Sequence, residues 1–124
     1  MPTPRISAFE LQLLEKLWTL GPCSVREIHE SLSERDRPAY TTVQTMIYRL
    51  EEKGAARRIK KIGNAHIFQA VLTRKAVHRR LIGDLLKLFG GSAAPVVSHL
   101  VETGKLTLND VRELEKRLSA METE

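Results

Sequence analysis

The sequence predicts a mainly α fold with a small β-hairpin wing: a winged helix-turn-helix domain followed by a C-terminal helical dimerisation region. Three short segments with helical spacing of apolar residues occupy the first half of the chain. A basic segment with strand-like runs and a Gly-Asn turn follows them, and the remainder returns to helical spacing. We place the boundary after residue 72, which gives a first domain of residues 1–72 and a second of residues 73–124.

Capping signals mark the first two helices. Ser7, followed three residues later by Glu10, is a capping box, and helical spacing then continues to Leu20. A Gly-Pro pair ends this helix, and Ser24 caps a second, shorter helix that reaches Leu32. With a third helix and a basic hairpin after them, these two helices give the element order of a winged helix-turn-helix.

The third helix lies in "AYTTVQTMIYRLEEKG", residues 39–54, and Gly54 ends it. Its apolar stripe has the spacing i, i+3, i+4 and i+7 and consists of Val43, Met46, Ile47 and Leu50. The opposite side carries no acid before Glu51, which is unusual for a surface helix. At 100° per residue the outward side chains are Thr41, Gln44, Thr45 and Tyr48, with Arg49 at the edge.

This outward side has the composition of a helix that reads bases in the major groove of double-stranded DNA. Glutamine can bond an adenine edge at two positions, and threonine offers a hydroxyl or a methyl contact to thymine. Thr42 lies near the start of the helix, where it either bonds backbone donors or contacts a phosphate.

After Gly54 the apolar residues occur in short runs, which predict a hairpin. We expect strands from Ala56 to Ile62 and from Ala65 to Ala70, with positive backbone angles at both Gly63 and Asn64. Its polar side chains would ordinarily form a solvated strand face, but beside a base-reading helix we predict that they bind phosphates. They are Arg57, Arg58, Lys60, Lys61 and His66.

The net charge of +5 is concentrated in one part of the chain. No acidic residue lies between Lys53 and Gly83, and this stretch holds nine lysines and arginines. Such a patch favours a polyanionic partner. Two of the nine, Arg79 and Arg80, fall in the helix predicted after the hairpin, and we expect them to keep that helix soluble rather than to contact DNA.

Three further helices are predicted in the C-terminal half. The first is capped by Thr73 and reaches Phe89, a short one covers Val96 to Val101, and the last starts at Thr107, which forms a capping box with Asp110. Because such short helices bury little by themselves, we expect them to pack against a second copy of the chain in a homodimer. The predicted interface residues are Leu81, Leu85, Phe89, Leu114 and Leu118.

Other functional classes receive little support. The single cysteine, Cys23, excludes an intrachain disulfide, and the four histidines lack the paired spacing of metal ligands, so we expect no metal and no cofactor. No phosphate loop, nucleophile elbow or HExxH motif suggests an enzyme. No segment approaches the roughly 20 apolar residues of a membrane span, so we expect a cytoplasmic protein without membrane insertion.

Two alternatives remain at this point. The domain could be a winged-helix protein-interaction or assembly module, in which the third helix binds a partner protein. It could also be a ligand-responsive winged-helix repressor, although the C-terminal helices show no convergent polar residues that would line a ligand cavity.

The quoted helix, preceded by "LQLLEKLW" and "SVREIHESL", resembles the penicillinase and methicillin-resistance repressors of the BlaI/MecI type, a family that includes copper-responsive repressors of the CopY type. The resemblance is strong through residues 7–70 and stays in register through the C-terminal helices. It implies a dimeric repressor of the antibiotic-resistance response, bound to an inverted-repeat operator with TACA/TGTA-like elements. The positions that it assigns to DNA are Thr41, Thr42, Gln44, Thr45, Arg49, Lys60 and Lys61.

The resemblance also implies how repression ends. The family's repressors are cleaved within the dimerisation region, which suggests a sensor-linked protease as a partner. In register, the cleavage position falls near His99 and Leu100, where this chain has His-Leu in place of the expected Asn-Phe. The copper-responsive members end in a cysteine cluster that this chain lacks, so copper sensing is not implied.

Overall fold

A computed structural model describes residues 3–123, which form six α-helices and three short β-strands. In chain order these are α1 (Ala8–Leu20), β1 (Cys23–Ser24), α2 (Val25–Ser31), α3 (Tyr40–Glu52), β2 (Ala56–Ile62), β3 (Ala65–Ala70), α4 (Arg74–Leu88), α5 (Ala94–Glu102) and α6 (Leu108–Glu122). The predicted fold class, mainly α with a hairpin wing, is confirmed.

Three helices begin with a capping box; the boxes of α1 and α6 were predicted, whereas for α2 only the cap Ser24 was predicted. In α1 the Glu10 backbone N–H donates to Ser7 Oγ at 3.2 Å, and the Ser7 backbone N–H donates to Glu10 Oε1 at 2.9 Å. Ser24 caps α2 with Glu27 in the same way, as Thr107 caps α6 with Asp110. Each box satisfies backbone donors that the first turn of a helix leaves without partners.

The three strands form one antiparallel sheet in the order β1-β3-β2. The bounds of β2 and β3 are those predicted, but β1 was not foreseen. Cys23 pairs with Phe68 and Ser24 pairs with Ile67. This short pairing attaches the hairpin to the turn between α1 and α2.

The prediction for the hairpin turn was half wrong. Gly63 has a φ of 59°, whereas no residue other than glycine has a positive φ in the part of the chain that the structure describes. Asn64 therefore follows the turn with an ordinary backbone angle, because a single left-handed glycine is enough to reverse this chain.

The core of the N-terminal unit is formed by α1, α2, α3 and one face of the hairpin. The α3 stripe supplies Val43, Ile47 and Leu50, which are fully buried, while Met46 is only half-buried. Phe68 of β3 packs into the same cluster, and Val77 extends it into α4. The first half of α4 thus belongs to the winged-helix core.

The described chain divides into two compact units, and the division falls inside α4, between Ile82 and Gly83. The boundary at residues 72 and 73 stays a prediction. From Gly83 to residue 123 no side chain that the structure describes is buried. The short helix is longer than predicted, since α5 covers Ala94–Glu102 rather than Val96 to Val101.

One ion pair ties the end of α3 to the N-terminal segment. Glu10 is only 2% exposed, and its Oε1 accepts a hydrogen bond of 2.7 Å from Lys53 Nζ. The same ammonium donates to the Arg5 carbonyl at 2.9 Å. Glu10 Oε2 is buried without a hydrogen-bond partner among the described residues, so this carboxylate depends on the one oxygen that is paired.

We therefore expect Lys53→Met to lower the free energy of unfolding by about 1–3 kcal/mol at neutral pH, because the Glu10 carboxylate would stay buried without its partner. Burial raises the pKa of Glu10, but the hydrogen bonds from Lys53 and Ser7 outweigh it and hold the pKa below its ordinary value of 4.5. The stabilisation is thus complete above that ordinary value and is lost as the pH falls through the folded-state pKa.

Urea unfolding followed by the fluorescence of Trp18 measures this effect. The difference between wild type and Lys53→Met should shrink when the pH is lowered from about 7 to about 3.5. Lys60→Met removes the same charge from an exposed side chain and is the matched control. A loss that is equal in the two variants, or that does not change with pH, would show that the ion pair contributes nothing.

Candidate nucleic-acid interface

The outward side of α3 presents two neighbouring surfaces. Four of its predicted DNA-binding side chains are exposed: Thr41, Thr42, Thr45 and Arg49. They line one shallow depression together with Met46. Gln44 and Tyr48 are half-buried at the other edge of the helix, where they face α2 and the hairpin.

That second surface is a groove of about 100 Å³, which we call the α2–wing groove. Gln44 and Tyr48 line it from α3, Arg26 from α2, and Asn64 and His66 from the hairpin. The structure therefore brings the predicted base-reading helix and the tip of the predicted clamp to one place.

Arg26 was missed in the sequence analysis. Its Nε donates to Glu30 Oε1 at 3.1 Å, but both side chains are largely exposed, and such a pair contributes little stability and is easily exchanged. The position could have been found from the motif, because the first helix of a helix-turn-helix crosses the DNA backbone. An arginine in the first turn of α2 is therefore a candidate phosphate ligand.

The start of α3 differs from those of α1, α2 and α6. Its N-cap is Ala39, which provides no side-chain hydrogen bond, and the Thr42 hydroxyl makes none to the described residues. Of the two alternatives for Thr42, bonding to backbone donors is thus not observed. Thr45 Oγ1 donates to the Thr41 carbonyl at 2.9 Å, which leaves its methyl group and its acceptor lone pairs facing outward.

A β-bulge determines which cations share a face of the hairpin. Arg58 pairs with Phe68 and Lys60 pairs with Ile67, so Ile59 is the extra, unpaired residue. Residues paired across antiparallel strands lie on the same face. Lys61, paired with His66, therefore lies on the same face as Arg58 and Phe68, whereas Lys60 lies on the other face with Arg57.

The predicted phosphate ligands also differ in their partners. Arg57 donates twice to Gln69 Oε1, at 3.1 and 3.3 Å, and Arg58 forms an ion pair with Glu51 at 2.9 Å. Lys60 and Lys61 have no hydrogen bond or ion pair to any described residue. His66 likewise has none, so Lys60, Lys61 and His66 are available to a ligand without first giving up a partner.

The predicted interface and cleavage residues lie on α4, α5 and α6, except Phe89, which directly follows the last residue of α4. Leu81 is half-buried and packs against the winged-helix core. The others are exposed by 40% to 59%: Leu85, Phe89, Leu114 and Leu118. His99 is exposed and Leu100 half-buried within α5.

Among residues 3–123 no group of three or more metal-ligating side chains comes together, and no helix there is long and apolar enough to cross a membrane. Cys23 is buried in β1, and this burial raises the pKa of its thiol to about 11. A thiol with so high a pKa is unreactive at neutral pH.

Comparisons with known proteins agree with this geometry. The sequence profile of the penicillinase repressor family matches residues 6–120. The transcriptional regulator BlaI of Mycobacterium tuberculosis is 34% identical over 101 residues, 79% of this chain and 72% of that protein. The penicillinase repressor of Bacillus licheniformis is 24% identical over 112 residues, 90% of this chain and 87% of that protein.

A solved structure is similar to part of the chain. The solution structure of the DNA-binding domain of the repressor BlaI aligns with a TM-score of 0.53 at 27% identity, over 61% of this chain and 93% of that domain.

Proposed function

Because the chain belongs to the penicillinase repressor family, we propose that it represses transcription as a homodimer, with one α3 helix in the major groove of each half of an inverted-repeat operator. The observation that carries this proposal is the acid-free outward side of α3 beside the unpaired Lys60 and Lys61. We expect the half-sites to resemble TACA/TGTA elements.

Family membership confirms three predictions. The resemblance is genuine, the winged-helix fold is that of a BlaI-type DNA-binding domain, and the function is that of a DNA-binding transcriptional repressor rather than an enzyme.

The two surfaces of α3 suggest a division between reading bases and binding phosphates. Gln44 and Thr45 have amide and hydroxyl groups that can contact base edges, and Thr41 and Arg49 extend that surface along the helix. The uncapped first turn next to Thr42 leaves backbone N–H groups that suit a phosphate.

The hairpin would lie on the adjacent backbone. Lys61 and His66 share one face at its tip, and Lys60 extends from the other face, so the tip can meet phosphates on both sides. Arg26 would add a contact from α2. Arg57 could take part only after exchanging its bond to Gln69.

Dimerisation is proposed for the C-terminal unit because its apolar side chains lack cover. Leu114 and Leu118 of α6 are 44% and 59% exposed, and Met121 continues the same stripe. A contiguous apolar surface of this kind marks an interface. We propose that a second copy of the chain covers it, together with Leu85 of α4 and Phe89, which follows that helix.

Proteolysis is the proposed route of relief, with a sensor-linked protease as partner. The region near His99 and Leu100 lies in α5, whose N-cap Ala93 gives no side-chain hydrogen bond and whose described side chains are all outside the core. Such a helix opens at low cost. Cleavage there would detach α6 and its share of the interface, so the dimer would dissociate by mass action.

Single substitutions should separate base reading from phosphate binding. Gln44→Ala should cost roughly 1–3 kcal/mol on the operator and little on random DNA, while Lys61→Ala should weaken both and reduce the salt slope by about one unit per subunit. Fluorescence anisotropy on both duplexes across salt concentrations measures this. Lys105→Ala, a matched charge change outside the hairpin, should alter neither the affinity for the two duplexes nor the salt slope. Equal losses on both duplexes for Gln44→Ala would remove it from base reading.

A separate prediction concerns the dimer. Leu114→Glu should separate the subunits, because the interface would have to bury an unpaired carboxylate. Operator affinity should then collapse, since each half-site would be bound alone. Sedimentation equilibrium gives the mass, and Ser119→Glu adds the same charge to the polar side of α6 as a control. If Leu114→Glu remains dimeric, the interface lies elsewhere.

Another prediction concerns the relief of repression. In cells treated with a β-lactam, the protein should lose its C-terminal part by a cut within α5, and limited proteolysis of the pure protein should nick the same helix first. Intact-mass spectrometry locates the cut. A full-length chain that has left its operator in induced cells would rule cleavage out.

A further inference from the structure

We propose that Arg58 is a strut that fixes the wing to α3 and that it does not bind a DNA phosphate. This inference rests on the proposed function, in which α3 and the wing form one DNA interface. It reassigns one of the hairpin cations that the sequence alone places among the phosphate ligands.

Arg58 contacts two other elements of the protein, α3 and β3. Its Nε donates to both oxygens of Glu51, at 2.9 and 3.1 Å, and Glu51 belongs to the last turn of α3. Its guanidinium carbon lies 4.9 Å from the centre of the Tyr48 ring and 5.4 Å from that of Phe68. One side chain thus joins a carboxylate and an aromatic ring of α3 to the central strand of the sheet.

The aromatic pair makes this junction stiff. The rings of Tyr48 and Phe68 are 6.2 Å apart, Phe68 is fully buried, and a guanidinium stacks well on such rings. The hydrogen bond that Arg58 donates to Glu51 also raises the pKa of Arg58, so the guanidinium keeps its charge. Tyr48 is therefore held in the α2–wing groove next to Gln44.

Arg58 also occupies a decisive position along β2. The bulge at Ile59 follows it immediately, and bulges bend a strand and increase its twist. The two unpaired cations, Lys60 and Lys61, lie beyond that bend. Whatever holds Arg58 therefore sets the position from which both lysines approach the DNA backbone.

The two possible roles of Arg58 predict opposite effects of replacing Glu51. If Arg58 bound a phosphate, Glu51 would compete for it and repel the DNA, so Glu51→Gln should tighten binding to any duplex. If Arg58 is a strut, Glu51→Gln loosens the wing, and discrimination between operator and random DNA should fall.

The test uses the full-length protein on operator and random duplexes. We expect Glu51→Gln and Arg58→Ala each to reduce the ratio of operator to random affinity on the order of fivefold to tenfold, and the double variant to lose no more than either single one. The salt slope should stay unchanged in all three. Lys61→Ala is the reference for a true phosphate ligand. Arg112→Ala removes an arginine from the polar side of α6, outside the proposed DNA interface, and as the matched control it should change neither the affinity ratio nor the salt slope.

A second readout needs no DNA. In the free protein the Nε–H proton of Arg58 should give a protected NMR signal that Glu51→Gln abolishes, while Arg57→Ala leaves it in place. Absence of that signal in the wild type would overturn the strut. So would tighter DNA binding by Glu51→Gln, or a salt slope lowered by about one unit per subunit in Arg58→Ala.

Different results would refute the proposed operator binding and the role of Arg58 as a strut. A wild-type protein that does not discriminate between duplexes would refute the proposed operator binding, and the NMR signal would still decide whether Arg58 joins the wing to α3.

Discussion

The burial of one stripe of α3 is the constraint on which the rest of the structure depends. Val43, Ile47 and Leu50 pack into the core without residual exposure, and a helix that buries one stripe must turn the opposite one outward. The polar residues between them are therefore presented to solvent on a rigid element. Lys53, anchored on Glu10 and the Arg5 carbonyl, fixes the end of the same helix.

The sheet extends this constraint to the wing. β3 lies between β1 and β2, so two residues of β3 tie the hairpin to the turn that precedes α2. The bulge then places Lys61, rather than Lys60, on the face of the hairpin that carries Arg58. The C-terminal unit differs, because its exposed apolar stripe requires a partner. In our account that partner is a second copy, which joins two weak half-site contacts into one strong interaction.

Periodicity was sufficient to predict α3, β2 and β3, because their apolar patterns depend only on nearby residues. The two residues of β1 are too few to show an alternation, so that strand could not be foreseen. Ion pairs between residues distant in the sequence could not be predicted either. Lys53 was counted in a basic patch, although Glu10 neutralises its charge. The same holds for Arg58 and Glu51, and for the bulge, which depend on strand register and on the approach of the wing to α3.

The central claim is that a dimer holds two α3 helices at the spacing of an inverted repeat. The most direct test is the affinity of the full-length protein for its operator before and after about five base pairs are inserted between the half-sites, which turns one half-site by half a helical turn. Our account predicts that the affinity falls toward that of a single half-site. Equal affinity for the two duplexes would contradict it.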